Sequence, residues 1–383
     1  MITLSPAPSK ELKSYAGPLA LFAFEDGSPV GAGFLPPKVR KELAARAEDE
    51  DFRGRRAQVS SFRASDGLRD RRFVFVGLGK KKEFGGEVLR KCAGALYHAA
   101  KTRFDELWVS PPESASTTTM AEGLLLAAHL FGKYRKAPDD LKLTKVRLVT
   151  AKPSDRGRFQ SAIERAALNA EAVGYARDLV NEGPSDKSPE AIAAAARSFA
   201  GTGVTVKVID RKQAEKLGMG SYLGVARGST KPPYFLHLIY KPKGKIKKRI
   251  GLIGKGVTFD SGGLSLKPPM HMETMKSDMA GAATVLGVFK VLSRMKIQAE
   301  VHGITPLTYN MPGPDAIKPG DVVRAMNGKT IEILNTDADG RLILADALVY
   351  ATKLKLDVMI DLATLTGAAV VALGSKVTAA MTN

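Results

Sequence analysis

The chain has 383 residues, too many for one small domain and comfortable for two, because single hydrophobic cores stop growing below this length. Apolar residues at 44% and charged residues at 25% fit an ordinary globular protein and argue against a disordered or fibrous one. The single cysteine, Cys92, excludes an intrachain disulfide and a cysteine-built zinc cage, and it points to a reducing, cytoplasmic setting.

The net charge of +19 raises nucleic-acid binding or attraction to acidic surfaces. It is spread along the chain, with 26 basic against 18 acidic residues in 1–150 and 32 against 21 in 151–383. The densest run, Lys241 to Arg249, lies between two strand-like segments and reads as a solvated connection before it reads as a nucleic-acid patch. No basic start followed by an apolar run opens the chain. The longest apolar stretch, around Leu124 to Phe131, is far too short to cross a bilayer, so a soluble protein without a targeting segment or membrane partner is expected.

In chain order, β-like runs at Arg72–Val76 and Glu106–Val109 alternate with helical patterns near 84–101 and 119–135, which predicts an α/β domain. The Ser/Thr-rich stretch Pro112 to Thr119 reads as a loop, and Arg156 to Leu179, rich in Ala, Glu and Arg, as a long helix. Strands follow at Val204–Ile209, Tyr234–Tyr240, Arg249–Ile253, Ala299–Ile304, Thr330–Leu334 and Asp357–Leu362, with helices at about 278–294 and 341–353. The expected architecture is therefore an N-terminal α/β domain (1–157), a linker helix (158–175) and a catalytic α/β domain (176–383) with a mixed central sheet flanked by helices. Ligands of such sheets gather beyond the carboxyl ends of the strands.

The chemistry-bearing residues cluster at those ends. Strand Arg249–Ile253 runs into Gly254-Lys255-Gly256-Val257-Thr258-Phe259-Asp260-Ser261-Gly262-Gly263, bringing a lysine and an aspartate to one strand end. Lys267 follows, then Asp278 at a helix start, then Asp337 and Asp339 in Asn335-Thr336-Asp337-Ala338-Asp339-Gly340-Arg341 after the Thr330–Leu334 strand. Four converging carboxylates repel one another unless cations neutralise them, which favours divalent metals. Oxygen-rich ligation suits Mn²⁺, Mg²⁺ or Zn²⁺, and a pair of ions about 3.5–4 Å apart would give the bridged site of aminopeptidases and phosphatases.

The five histidines, His98, His129, His237, His271 and His302, are scattered and form no His-Glu-x-x-His pair, so each reads as packing or surface. A phosphate loop lacks its Gly-x-x-x-x-Gly-Lys-Ser/Thr pattern. Asn335-x-Asp337-x-Asp339-Gly340 with Asp346 partly fits a calcium loop, but a β-branched run precedes it where an entering helix belongs.

At these residues the chain resembles the leucyl aminopeptidases, the dinuclear-metal cytosol aminopeptidase family. Gly254 to Gly263, Met275-Lys276-Ser277-Asp278-Met279, Asn335 to Leu342 and Asp361-Leu362-Ala363-Thr364-Leu365-Thr366-Gly367-Ala368 are similar to family motifs, in the family's order. Arg177-Asp178-Leu179-Val180-Asn181 adds to this, as does Val76-Gly77-Leu78-Gly79-Lys80 more weakly.

The resemblance implies that Asp260 and the residue at 339 bridge two divalent ions, Mn²⁺ or Zn²⁺. Asp337 would complete the readily exchanged site, and Lys255, as a neutral amine, would complete the tight one with Asp278. It further implies Lys267 as the electrophile facing the oxyanion, Arg341 as holder of a bicarbonate general base, and Met275, Thr364 and Gly367 as substrate-cleft residues. Peptides would be the substrates, with leucine and other apolar N-terminal residues preferred, and the assembly a homohexamer where the full C-terminal segment is present.

Two departures stand out. Asp339 replaces the family's Glu, a carboxylate one methylene shorter, and the chain stops at Val377–Asn383 where the family continues, which leaves a strand expected at Val377–Thr382 without neighbours. A basic DNA-binding protein and a catalytically impaired relative of the same fold are the competing readings.

Overall fold

The computed structural model describes residues 2–25, 29–112, 116–136, 138–201 and 203–383. Two units emerge, Met1–Gly174 and Tyr175–Asn383. The first contains β1 (Thr3–Pro8), β2 (Leu19–Ala23), β3 (Pro29–Val30), α1 (Pro37–Asp49), β4 (Val59–Ser65), β5 (Asp70–Gly77), α2 (Gly86–Ala100), β6 (Glu106–Val109), α3 (Thr117–Ala127) and β7 (Lys145–Thr150). Helix α4 (Arg156–Asn181) carries the chain onward.

Its sheet runs β1-β7-β6-β2-β5-β4, with β3 against β2; the strands are parallel except β3 and β4. Successive side chains of a strand point to opposite faces, and the sequence fills both faces with apolar groups. Ala20, Phe22, Val74 and Val76 pack on one side with residues of α2 and α3. Leu19, Leu21, Phe73 and Phe75 pack on the other with Val39, Leu43 and Ala47 of α1. The helix expected near 119–135 ends at Ala127. It starts inside the stretch read as a loop, of which residues 113–115 lie outside the described residues.

The second unit follows with α5 (Pro189–Arg197), β8 (Val204–Ile209), α6 (Arg211–Lys216), α7 (Gly220–Val225), β9 (Tyr234–Tyr240), β10 (Lys248–Gly254), β11 (Gly256–Asp260) and α8 (Pro269–Met272). Then come α9 (Ala280–Met295), β12 (Ala299–Asn310), β13 (Val322–Arg324), β14 (Thr330–Glu332), α10 (Asp339–Thr352), β15 (Val358–Leu362) and α11 (Ala368–Leu373). The main sheet is ordered β15-β10-β12-β9-β8, with β11 also on β12; it is parallel over β15, β10, β12 and β11 and antiparallel at β9 and β8. Leu236, Leu238, Val301 and Leu307 meet α9 and α5 on one face, whereas Phe235 and Ile304 meet α7 and α10 on the other.

Three expectations are corrected. The Thr330–Leu334 run is no strand of the main sheet; it shortens to β14 and, among the described residues, pairs only with β13 in a small hairpin. Val377–Thr382 forms no strand. The strand expected at Ala299–Ile304 runs on to Asn310, because the parallel partner β11 continues where β10 stops. The Lys241–Arg249 run is largely an exposed connection between β9 and β10.

Candidate metal centre

The site grows from an interruption in one strand. β10 pairs with β12 up to Ile253↔Ile304, Lys255 breaks the ladder, and β11 resumes on the same strand from Gly256↔Leu307 to Asp260↔Asn310. At the break the Lys255 N–H donates to Leu362 O of β15 at 2.9 Å, and Lys255 O accepts from Ala282 N, a first-turn amide of α9 that has no partner within its own helix. Only glycine permits this approach: a Cβ on Gly281 would lie 1.9 Å from Leu362 O. Lys255 is thereby pinned between two strands and a helix start.

Its ammonium is buried, lies 2.7 Å from Asp278 Oδ2 and 3.9 Å from Asp339 Oδ2, and donates to Thr364 O at 2.8 Å. Thr364 Oγ1 in turn donates to Asp278 Oδ1 at 2.8 Å. Thr364, expected to line a substrate cleft, thus clamps both members of the Lys255–Asp278 pair.

Asp260 closes β11. Its Oδ1 accepts from Gly262 N at 2.8 Å and from Asn310 Nδ2 at 2.9 Å, and its Oδ2 lies 3.0 Å from Lys267 Nζ. Lys267 is also ion-paired with Asp337. Asn310 Nδ2 further donates to Thr336 O, and Thr336 Oγ1 bonds Gly262 O and Ser265 N, which fastens the Asp337 segment to the turn after β11. Asp339 opens α10 with no solvent exposure, and neither of its carboxylate oxygens receives a hydrogen bond among the described residues. One carboxylate oxygen each from Asp260, Asp337 and Asp339 falls within 4.8 Å of the others.

Burial dominates the electrostatics. It pushes the Asp278 carboxyl up to about 6 despite Lys255, with Asp260 adding repulsion. Burial likewise holds Asp339 well above its ordinary value against the pull of Lys255, with Asp260 and Asp278 pushing the same way. At Lys267, burial opposes the charge but the Asp337 and Asp260 carboxylates prevail and keep the ammonium above its usual range.

A buried carboxylate with no donor is costly, whereas an all-oxygen cage beside further carboxylates is what a hard divalent cation requires. The residues present therefore fit a metal, and the unbonded oxygens of Asp339 are the observation that says so.

Of the residues expected at the site, Lys255, Asp260, Lys267, Asp278, Asp337, Asp339 and Thr364 come together. Met275 is half-buried in the turn before Asp278. Arg341 is exposed on the first turn of α10, and Gly367 is exposed at the start of α11; neither joins the ion-pair cluster. Asn310 and Thr336 were missed. The unbroken β pattern through Thr305–Asn310 was the available signal for Asn310, since it carries that amide as far as Asp260. His237 and His302, read as scattered, are in fact paired: His237 Nε2 lies 2.9 Å from His302 Nδ1, between Tyr350 and Glu300, because the β9–β12 register sets them diagonally on one face, His237 opposite Ile304 and His302 opposite Ile239.

Comparison with known proteins gives one direction. Residues 174–383 match the cytosol aminopeptidase family's catalytic domain and residues 20–138 its N-terminal domain. A protein of Gloeobacter violaceus described as a probable cytosol aminopeptidase is 42% identical over 382 residues, covering 94% of this chain and 75% of the relative. Its counterpart from Aquifex aeolicus is 39% identical, covering 97% and 76%. Among solved structures, the bottromycin maturation enzyme BotP in complex with Mn superposes with a TM-score of 0.79 at 34% identity, covering 94% of this chain and 75% of that one. A mutant of tomato leucine aminopeptidase reaches a TM-score of 0.83 at 32% identity, covering 98% and 76%.

Proposed function

Since this chain belongs to the cytosol aminopeptidase family and is a metal-dependent aminopeptidase acting on peptides, we propose that Lys255, Asp260, Asp278, Asp337 and Asp339 hold a pair of divalent ions and form its working centre. The observation that carries this reading is the fully buried Asp339 carboxylate, without a donor and within reach of Asp260 and Asp337. A bound pair supplies Lewis acidity and a water ionised near neutral pH. Mn²⁺ or Zn²⁺ would serve, and the manganese complex of BotP supports the choice of a divalent ion.

The chain's own residues do the rest. Thr364 and Asn310 orient Asp278 and Asp260, so the carboxylates meet a cation already aligned. Lys267 keeps its proton and offers N–H donors at the edge of the carboxylate cluster, where an oxyanion would develop. Arg341 would hold bicarbonate as a base for the attacking water. Met275, Thr364 and Gly367 would border the side chain of the leaving residue, leucine or another apolar residue by preference. The reading carries a cytoplasmic setting and, where the full C-terminal segment is present, a homohexamer.

No helix among the described residues is long and apolar enough to cross a membrane. The family assignment does not favour a DNA-binding role for the basic charge or a catalytically impaired relative. The test is hydrolysis of leucine p-nitroanilide by protein stripped of metal and reloaded with Mn²⁺ or Zn²⁺. Metal-dependent release of nitroaniline is expected; no turnover with either ion, together with no stoichiometric metal binding, would overturn the assignment.

A further inference from the structure

Lys187 lies in the connection between α4 and α5 and is 1% exposed. Its ammonium donates to Leu179 O at 2.8 Å, Val180 O at 3.0 Å and Lys276 O at 2.5 Å, with Met279 Sδ at 3.6 Å. The first two are carbonyls in the last turn of α4, which have no intrahelical partners and carry the negative end of the helix dipole. The third, Lys276 O, belongs to the turn Met275–Ser277 and lies two residues before Asp278. Three donors thus meet three carbonyls. A second lysine repeats the tie from the other side: Lys276 Nζ donates to Asn181 O at 2.9 Å.

An ammonium in this position is costly. Burial pulls it down to about 8, with Lys276 adding repulsion and Glu182 opposing it. An apolar side chain of similar length would avoid that cost but would leave the Leu179, Val180 and Lys276 carbonyls without this donor. What the ammonium accomplishes is geometric. The 275–279 segment carries Met275 and Asp278, and the bonds inside its short 3-10 turn, from Ser277 to Thr274 O and from Asp278 N to Met275 O, do not tie it to α4.

We propose that Lys187 is a positioning residue that fastens the Met275–Met279 segment to the C-terminal end of α4, setting where Asp278 stands relative to Lys255, Asp260 and Asp339. The inference rests on the metal-centre reading above. It adds a residue with no contact to the carboxylates of the centre, acting through the Lys276 carbonyl before Asp278 and the Met279 sulfur after it.

The experiment titrates Mn²⁺ into metal-stripped protein, with free Mn²⁺ followed by electron paramagnetic resonance, for wild type, Lys187→Met, Lys276→Met and Ser188→Ala. Ser188 is a control for a purely structural role, because its Oγ caps α5 through Ala191 N and touches nothing at the centre. Lys187→Met should weaken Mn²⁺ binding by about 10–100-fold, the range for residues that orient a ligand. Lys276→Met should act in the same direction and less, and Ser188→Ala should lower the melting temperature without changing Mn²⁺ affinity.

Wild-type affinity in a folded Lys187→Met protein overturns the proposal. If that variant does not fold, Lys276→Met decides, since its side chain is partly exposed: unchanged affinity there overturns it too. Absence of Mn²⁺ binding by the wild type refutes the metal-centre reading and the proposal with it, an outcome distinct from binding that is indifferent to Lys187.

Discussion

Asn310 and Asp260 end two neighbouring parallel strands in register, and the amide of one holds the carboxylate of the other at 2.9 Å. The same Nδ2 reaches Thr336 O, so one side chain ties β11, β12 and the Asp337 segment together. Asn310→Ala should leave Asp260 held only by Gly262 N and Lys267 and lower metal affinity by about 10–100-fold while the fold persists. Isothermal titration with Mn²⁺ measures it, and unchanged affinity would show that Gly262 N alone orients Asp260.

A second expectation concerns metal-free protein. Asp278 is held protonated up to about 6, above its unfolded value. The native state therefore keeps a proton the unfolded chain has lost, and stability from this group is complete below about pH 4 and lost as pH rises through about 6. The change is on the order of 3 kcal/mol. Urea unfolding of the wild type minus that of Asp278→Asn, both metal-free, should show this negative slope between pH 4 and 6. A flat difference would mean that Lys255 already holds Asp278 ionised.

Lys267 and Arg341 should matter to turnover and not to metal. Lys267→Ala removes a cation from between Asp260 and Asp337, so metal affinity should hold or rise while kcat falls by about 10²–10³-fold, the usual consequence of losing an oxyanion donor. Arg341→Ala, on an exposed first turn, should lower kcat without altering the melting temperature. Loss of bound metal in either variant would remove the residue from the catalytic assignment.

Asp339→Glu tests the shortened arm. The added methylene extends reach by roughly 1.5 Å. Because position 339 has no solvent exposure, the metal-free variant should lose stability, by about 1–3 kcal/mol if the longer side chain overpacks. Mn²⁺ binding should nevertheless tighten and turnover rise. Equal or weaker binding in a Mn²⁺ titration would mean that the backbone has already settled around Asp.

Much of this was legible along the chain because strands buried on both faces announce themselves as apolar runs: Tyr234–Tyr240 and Arg72–Val76 needed no partner to be read. The acidic residues were legible for a different reason, since four carboxylates spaced around strand ends have few other uses. What the linear pattern hides is hydrogen-bond topology. Thr330–Leu334 has β-branched residues suited to a strand, yet its partner is β13 and not the main sheet, a choice set by tertiary contacts. Likewise, nothing in Thr364 or Lys187 as residue types announces that one clamps a Lys–Asp pair and the other bonds three carbonyls.

Among the described residues strand β15 ends its sheet and pairs with β10 alone, and the segment leaving it carries Thr364 to Lys255 and Asp278. Edge strands open locally at lower free energy than the strands they flank. An edge ladder of the catalytic unit is therefore coupled to the buried Lys255–Asp278 pair, and fraying at Val358–Leu362 withdraws a donor from Asp278. Amide exchange along β15 would then report on the state of the centre: a ligand gripping Asp278 should slow exchange at that edge while leaving the already protected amides of β12 unchanged.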